Sequence, residues 1–124
     1  MSGAEATPPP LQAVLDAFNA HDVDAIMSFA EDCVLDMPGG PAPGGRWLVG
    51  KQQVREGIQS RFNGIPDVYY GDARHWRCGD RGVSEWTLRG TQRTGEPIAV
   101  RGCDLFEFVD GKISRKDSFW KIVD

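Results

Sequence analysis

Asp104-Leu105-Phe106-Glu107-Phe108-Val109-Asp110-Gly111-Lys112-Ile113 reads as a single β-hairpin. An Asp-Gly pair between apolar-rich arms is a strong hairpin signal, because both residues tolerate the positive φ of a tight turn between right-twisted strands. Alternation along the first arm places Asp104, Phe106 and Phe108 on one face, with Cys103, Leu105 and Glu107 on the other. The two arms extend to Ile98–Val109 and Lys112–Val123. Upstream, Tyr69–Arg77 and Val83–Gln92 keep the same period of two. The turns between these strands are Cys78-Gly79-Asp80-Arg81-Gly82 and Thr94-Gly95-Glu96, so the second half of the chain is an antiparallel meander.

Before Pro66 the apolar period is nearer four. Leu11, Val14, Leu15 and Phe18 form one helical face, which Pro8, Pro9 and Pro10 are expected to open with Thr7 as cap. Asp22 caps a short second helix with Val23, Ile26 and Met27 turned inward. Cys33–Met37 reads as a short strand ended by Pro38, and Gly39-Gly40-Pro41-Ala42-Pro43-Gly44-Gly45 as a loop. A third helix runs from about Lys51 to Asn63 through Val54, Ile58 and Phe62, and Gly64 stops it. Three helices followed by a meander define an α+β domain, with the helices on one face of a curved sheet. Residues 1–7 read as a flexible tail and residues 8–124 as one domain.

The chain has 124 residues, enough for one core and one cavity. Lys and Arg number 14 against 18 Asp and Glu, a net charge of −4, which argues against a nucleic-acid partner and against docking on an anionic membrane. The N-terminal residues lack the basic head and apolar segment of a secretory signal, and three cysteines without a C-x-x-C suit a reduced setting. A cytoplasmic protein is therefore expected. Gly45-Arg46-Trp47-Leu48-Val49-Gly50-Lys51 imitates a phosphate loop, but Gln52 stands where a magnesium-binding hydroxyl is needed, so a short strand feeding a helix is the better reading. His75 and Cys78 have no companion cluster for zinc, and neither cofactor nor metal is expected. Cys33 and Cys103 sit in apolar strands, where inert buried thiols are usual. Lys112, Arg115, Lys116 and Lys121 read as a solvated edge, since alternation splits them between faces.

Asp104 is the residue most open to chemistry. An acid in line with two phenylalanines on a central strand is either desolvated and tunable as an acid or base, or held at the sheet rim by a backbone amide or by Arg89 or Arg101. Asp117, in Ser114-Arg115-Lys116-Asp117-Ser118-Phe119-Trp120, lies on the strand that the hairpin places alongside. Trp76, Trp86, Phe119 and Trp120 supply aromatic surface for a core or a pocket, and His75 lies beside Trp76.

Phe18-Asn19-Ala20-His21-Asp22-Val23-Asp24, Phe29-Ala30-Glu31-Asp32, Gly50 before the third helix, Glu85-Trp86-Thr87 with Gly90-Thr91, and Asp104-Leu105-Phe106 with Asp110-Gly111-Lys112-Ile113 together resemble the nuclear-transport-factor-two-like superfamily. The style is that of its SnoaL-like, polyketide cyclase-like branch, with ketosteroid isomerases and limonene-epoxide hydrolases more distant. The resemblance implies a cone: a strongly bent sheet wrapped around about three helices, enclosing an apolar cavity and commonly dimeric. It puts Asp104 at the position of the isomerases' oxyanion-hole aspartate and of the cyclases' acid/base aspartate. The isomerase base falls at Met37, with Asp36 facing away, and the oxyanion tyrosine at Val14. Asp117-Ser118-Phe119 resembles a segment holding the epoxide hydrolases' acid, whereas the isomerase register turns Lys116, Ser118 and Trp120 inward. The two registers are incompatible without a bulge.

Two functions follow. One is a cofactor-free enzyme in which Asp104, with Asp117 and Lys116 as further candidates, acts on a hydrophobic carbonyl or epoxide compound held among Phe18, Met37, Phe62, His75, Trp76, Trp86, Phe106, Ser118 and Trp120. The other is a non-catalytic dimeric module that binds a small apolar ligand or a protein. A homodimer is expected through Cys103, Leu105 and Leu88 on the outer sheet face, and the 39–45 loop is expected to edge the cavity mouth.

Overall fold

A computed structural model describes residues 8–27 and 29–124; the expected tail and the Thr7 cap lie outside the described residues. The elements are α1 (Leu11–Asn19), α2 (Val23–Ile26), β1 (Phe29–Asp36), β2 (Trp47–Val49), α3 (Lys51–Gly64), β3 (Tyr69–Cys78), β4 (Arg81–Thr91), β5 (Pro97–Val109) and β6 (Lys112–Trp120). They build one six-stranded sheet in the order β2-β1-β6-β5-β4-β3. Every neighbouring pair is antiparallel except β1 with β6. This is the expected α+β architecture, a curved sheet with helices against its inner face.

Local chemistry explains most boundaries. Leu11, Val14, Leu15 and Phe18 are the buried face of α1, and the Asp22 carboxylate accepts from the Ala25 N–H at 3.1 Å to start α2. The prolines do not enter the helix: Pro10 is its N-cap residue, with extended backbone. The first strand is longer than expected, Phe29–Asp36 rather than Cys33–Met37, and Gly64 is the last helical residue of α3 rather than its stop. Trp47–Val49 leading into α3 is the strand-to-helix step expected in place of a phosphate loop. Asn19 clamps the end of α1 to the sheet by bonding both the N–H and the C=O of Tyr70, at 2.7 and 3.0 Å. His21 adds a bond to the Val68 carbonyl at 2.7 Å and stacks on Phe62.

The hairpin forms at Asp110-Gly111, with φ of 51° and 74°. Its register then slips by one residue. Phe108 faces Ile113, but Glu107 faces Arg115, so Ser114 is an extra residue whose hydroxyl donates to the Glu107 carbonyl at 3.1 Å. A second bulge lies in β3, where Asp72 and Ala73 together oppose Trp86 and Asp72 adopts φ of 51°. These two insertions decide which residues point inward. Without the first, Asp117 rather than Ser118 would face Asp104; without the second, Arg74 rather than His75 would face Ser84.

The inner face packs Trp86, Leu88, Val100, Phe106, Phe108 and Ile113 against α1 and α3, with Phe29, Cys33 and Leu35 from β1. Leu88 is thus a core residue and not part of the outer face. On that outer face Trp76 is 51% exposed, with Leu105 and Phe119 also in solvent. No helix among the described residues is long and apolar enough to cross a membrane.

Candidate active site

Sheet register places four polar side chains in one row across the inner face: His75 on β3, Ser84 on β4, Asp104 on β5 and Ser118 on β6 are successive partners. Lys116 lies two residues before Ser118 and also points inward. Asp104, Ser84, Lys116 and Ser118 are all buried.

Asp104 is surrounded by donors. The Ser118 hydroxyl donates to Oδ1 at 2.6 Å, the Lys116 ammonium lies 3.1 Å from the same oxygen, and the Trp86 indole N–H donates to Oδ2 at 2.9 Å. Lys116 Nζ also donates to Ser118 Oγ at 3.0 Å and lies 4.9 Å from the centre of the Phe18 ring. Ammonium and indole groups only donate, so Lys116 and Trp86 both offer hydrogens to the Asp104 carboxyl oxygens. Gly102 is what lets the indole reach it: a Cβ there would meet Trp86 ring carbons at 2.7 and 2.8 Å. The rim pairing considered for Asp104 does not occur, because Arg89 pairs with Asp72 and Arg101 with Glu85. Lys116 is not part of a solvated edge either; its side chain is 8% exposed.

At the other end of the row, His75 Nδ1 lies 2.8 Å from Ser84 Oγ and Nε2 lies 2.8 Å from Gln12 Oε1. Burial pushes the His75 pKa down, opposed by the charge of Asp16. Tyr70 is raised, chiefly by burial and then by the charge of Asp104, and stays a neutral phenol. The space left between these groups and α1 is about 10 Å³, lined by Leu11, Val14, Leu15, Phe18, Tyr70, Ser84, Asp104 and Phe106. That is room for about one water molecule, far below the roughly 300 Å³ of an open ligand pocket.

The remaining candidates fall in three places. Phe18, Phe62, Trp86 and Phe106 are core residues, with Met37 and Trp120 packed against that core. Trp76 does not face the cavity; it stands on the outer face under Arg74, at 5.6 Å. Asp117 also faces outward. It is the register partner of Asp36, and burial and the Asp36 charge raise its pKa. Asp36 is buried with its Oδ2 held by Arg115, while its Oδ1 has no partner among the described residues. The 39–45 loop contributes nothing to the cavity and instead forms an open surface groove with Trp47. Cys33 is buried and Cys103 partly so; burial raises both thiols, in keeping with inert cysteines. Among the described residues no cluster of three metal-ligating side chains occurs.

Sequence reasoning overlooked Ser84, Tyr70 and Gln12. Alternation from Trp86 does place Ser84 on the inner face, and Tyr70 faces inward by the same rule. Gln12 sits on the exposed side of α1 and carries no comparable signal.

A curved six-stranded, mostly antiparallel sheet with helices against one face is the fold of the nuclear-transport-factor-two-like class. Within that class the chain belongs to the SnoaL-like domain family, which matches residues 11–116. Solved structures agree on the fold. A candidate polyketide cyclase from Xanthomonas campestris pv. campestris superposes with a TM-score of 0.79 at 24% identity, over 90% of this chain and 87% of that one. One from Pseudomonas putida gives 0.80 at 20% identity, over 90% and 89%. A protein with a ketosteroid isomerase-like fold from Catenulispora acidiphila, crystallised with trimethylamine, gives 0.79 at 19% identity, over 94% and 88%. No functionally curated protein matches the chain.

Proposed function

We propose that this protein is a cofactor-free acid–base catalyst for a small hydrophobic carbonyl compound, with Asp104 as the base and Lys116 as the group that stabilises the developing oxyanion. The observation that carries the reading is the donor count at Asp104. A carboxylate offers about four acceptor positions. Ser118 and Lys116 fill Oδ1 and Trp86 takes one position on Oδ2, which leaves one Oδ2 lone pair beside the cavity for a substrate proton. The Lys116 ammonium spends two of its three N–H bonds on Asp104 and Ser118, and the third can meet a carbonyl oxygen. Base and cation side by side suit enolisation, in which a proton leaves carbon while charge builds on oxygen. This favours a carbonyl over an epoxide. Because the cavity holds about one water, substrate entry requires the α1 side chains Leu11, Val14 and Leu15 to move aside.

Incubation with a panel of small cyclic ketones in deuterated water tests this directly. Deuterium should enter at the α-carbon, and Asp104→Asn should slow the exchange by at least about 100-fold. The absence of exchange with any ketone would favour the non-catalytic module, for which the closed cavity is the supporting observation. Unchanged exchange in Asp104→Asn would remove Asp104 from the mechanism.

The same reading assigns the outer sheet face to a second copy of the chain. Trp76, Leu105 and Phe119 are large apolar groups left in water on that face, and mutual burial gains about 25 cal/mol per Å². Sedimentation at micromolar concentration should give a dimer that Phe119→Lys dissociates. A wild-type monomer would contradict the assignment.

A further inference from the structure

The polar row holds a second constellation that the acid–base reading does not use. The geometry points to Ser84 as a nucleophilic hydroxyl, with His75 as its general base and Gln12 and Asp16 as positioning residues, able to accept a short acyl group from an activated ester. With a neutral imidazole, the hydrogen-bond inventory fixes the direction of each proton in this relay. The Asp16 carboxylate only accepts, so Gln12 turns its amide N–H₂ toward Asp16, at 2.9 Å, and its carbonyl Oε1 toward His75. That carbonyl requires a hydrogen on His75 Nε2. Nδ1 is then the bare nitrogen, and at 2.8 Å it accepts the hydroxyl hydrogen of Ser84. A hydroxyl bonded to a neutral imidazole that is oriented by a third group is the general arrangement of an activated serine.

Placement supports the same assignment. Ser84 and Tyr70 both line the interior cavity, and Gln12 and Asp16 lie on the exposed side of the helix that covers it. In the acyl-transfer step Ser84 Oγ bonds to the ester carbonyl carbon and its proton passes to His75 Nδ1. The tetrahedral adduct collapses by breaking the bond to the alcohol oxygen, which takes the proton back from His75. Water, deprotonated by the same nitrogen, then releases the acid and restores the hydroxyl. Tyr70, a neutral phenol on the same cavity, supplies an O–H for the oxyanion. Entry of the ester takes the same movement of α1 side chains as entry of a ketone.

The test uses the full chain and p-nitrophenyl acetate. Peptide mapping by mass spectrometry should find one acetyl group on Ser84, released with a stoichiometric burst of nitrophenolate, and His75→Gln should slow its formation at least about 100-fold. Acetyl groups on surface lysines alone, or Ser84 acetylation at the wild-type rate in His75→Gln, would overturn the proposal. A second variant probes the base without touching the interior. His75 acts only when neutral, so the rate should fall as pH drops through its pKa, which burial sets below the ordinary histidine value against the opposing charge of Asp16. Gln12→Glu puts a carboxylate against Nε2–H, favours the imidazolium, and should raise the midpoint of that profile by about one pH unit. A midpoint that stays where it was would show that His75 is not the base. Ketone exchange and acetyl transfer rest on different residues and probes, so either can fail alone.

Discussion

Lys116→Met is expected to destabilise the protein by about 3–5 kcal/mol, the usual cost of removing one partner of a buried ion pair. The two side chains are only 8% and 5% exposed, so water cannot take the place of the missing ammonium. Ser118 and Trp86 would still bond Asp104, but neither neutralises its charge in a low-dielectric interior. Lys116→Met combined with Asp104→Asn should recover most of the loss, because an uncharged amide keeps an acceptor for Trp86 and a donor for Ser118. Denaturant unfolding of the wild type and both variants makes the comparison. A single-variant loss under about 1 kcal/mol would mean that the pair is solvated, and the closed polar row described above would be wrong. Typical domains hold about 5–15 kcal/mol in total, so this one contact commands a large share of the stability.

Trp86→Ala should cost a similar amount, about 3–5 kcal/mol, for a different reason. The indole is among the largest fully buried side chains, and it packs edge-on against Tyr70 at 5.0 Å between ring centres. Alanine leaves a void beside Asp104 that the curved sheet cannot collapse to fill, since Gly102 beneath it has no side chain to offer. Trp86→Phe retains most of the volume and loses the N–H bond to Asp104, so its cost should be smaller, about 1–3 kcal/mol. The void in Trp86→Ala should also bind naphthalene, seen as a rise in thermal midpoint that the wild type does not share. Equal losses in the alanine and phenylalanine variants would assign the effect to the hydrogen bond instead of the packing.

The residues differ in how openly the sequence declared them. Asp104 with Phe106 and Phe108 on one face follows from strand alternation, and all three are buried together. The Leu11, Val14, Leu15 and Phe18 face of α1 follows from helical spacing in the same way. Lys116 was legible as a candidate only through the resemblance. Its surroundings of cations and its neighbour Asp117 read as a solvated edge until the fold supplied a buried counter-charge. Alternation places Ser84 on the inner face but gives it no role, and Gln12 carries no mark at all, because a serine in a strand and a glutamine on a helix surface become a relay only when β3 brings His75 between them.

By itself the sequence determined the elements, the Asp110-Gly111 turn and the family, all of which depend on contacts within a few residues or on pattern along the chain. Only the tertiary structure decided the row His75, Ser84, Asp104, Ser118, because that row depends on register. Ser114 and Asp72 are each one residue more than the facing strand, and each insertion turns every following side chain to the opposite face. Nothing near either residue announces the slip. It is selected by what lies across the sheet: a lysine that finds Asp104 of β5 and an arginine that finds Asp36 of β1 in one register, and the reverse faces in the other.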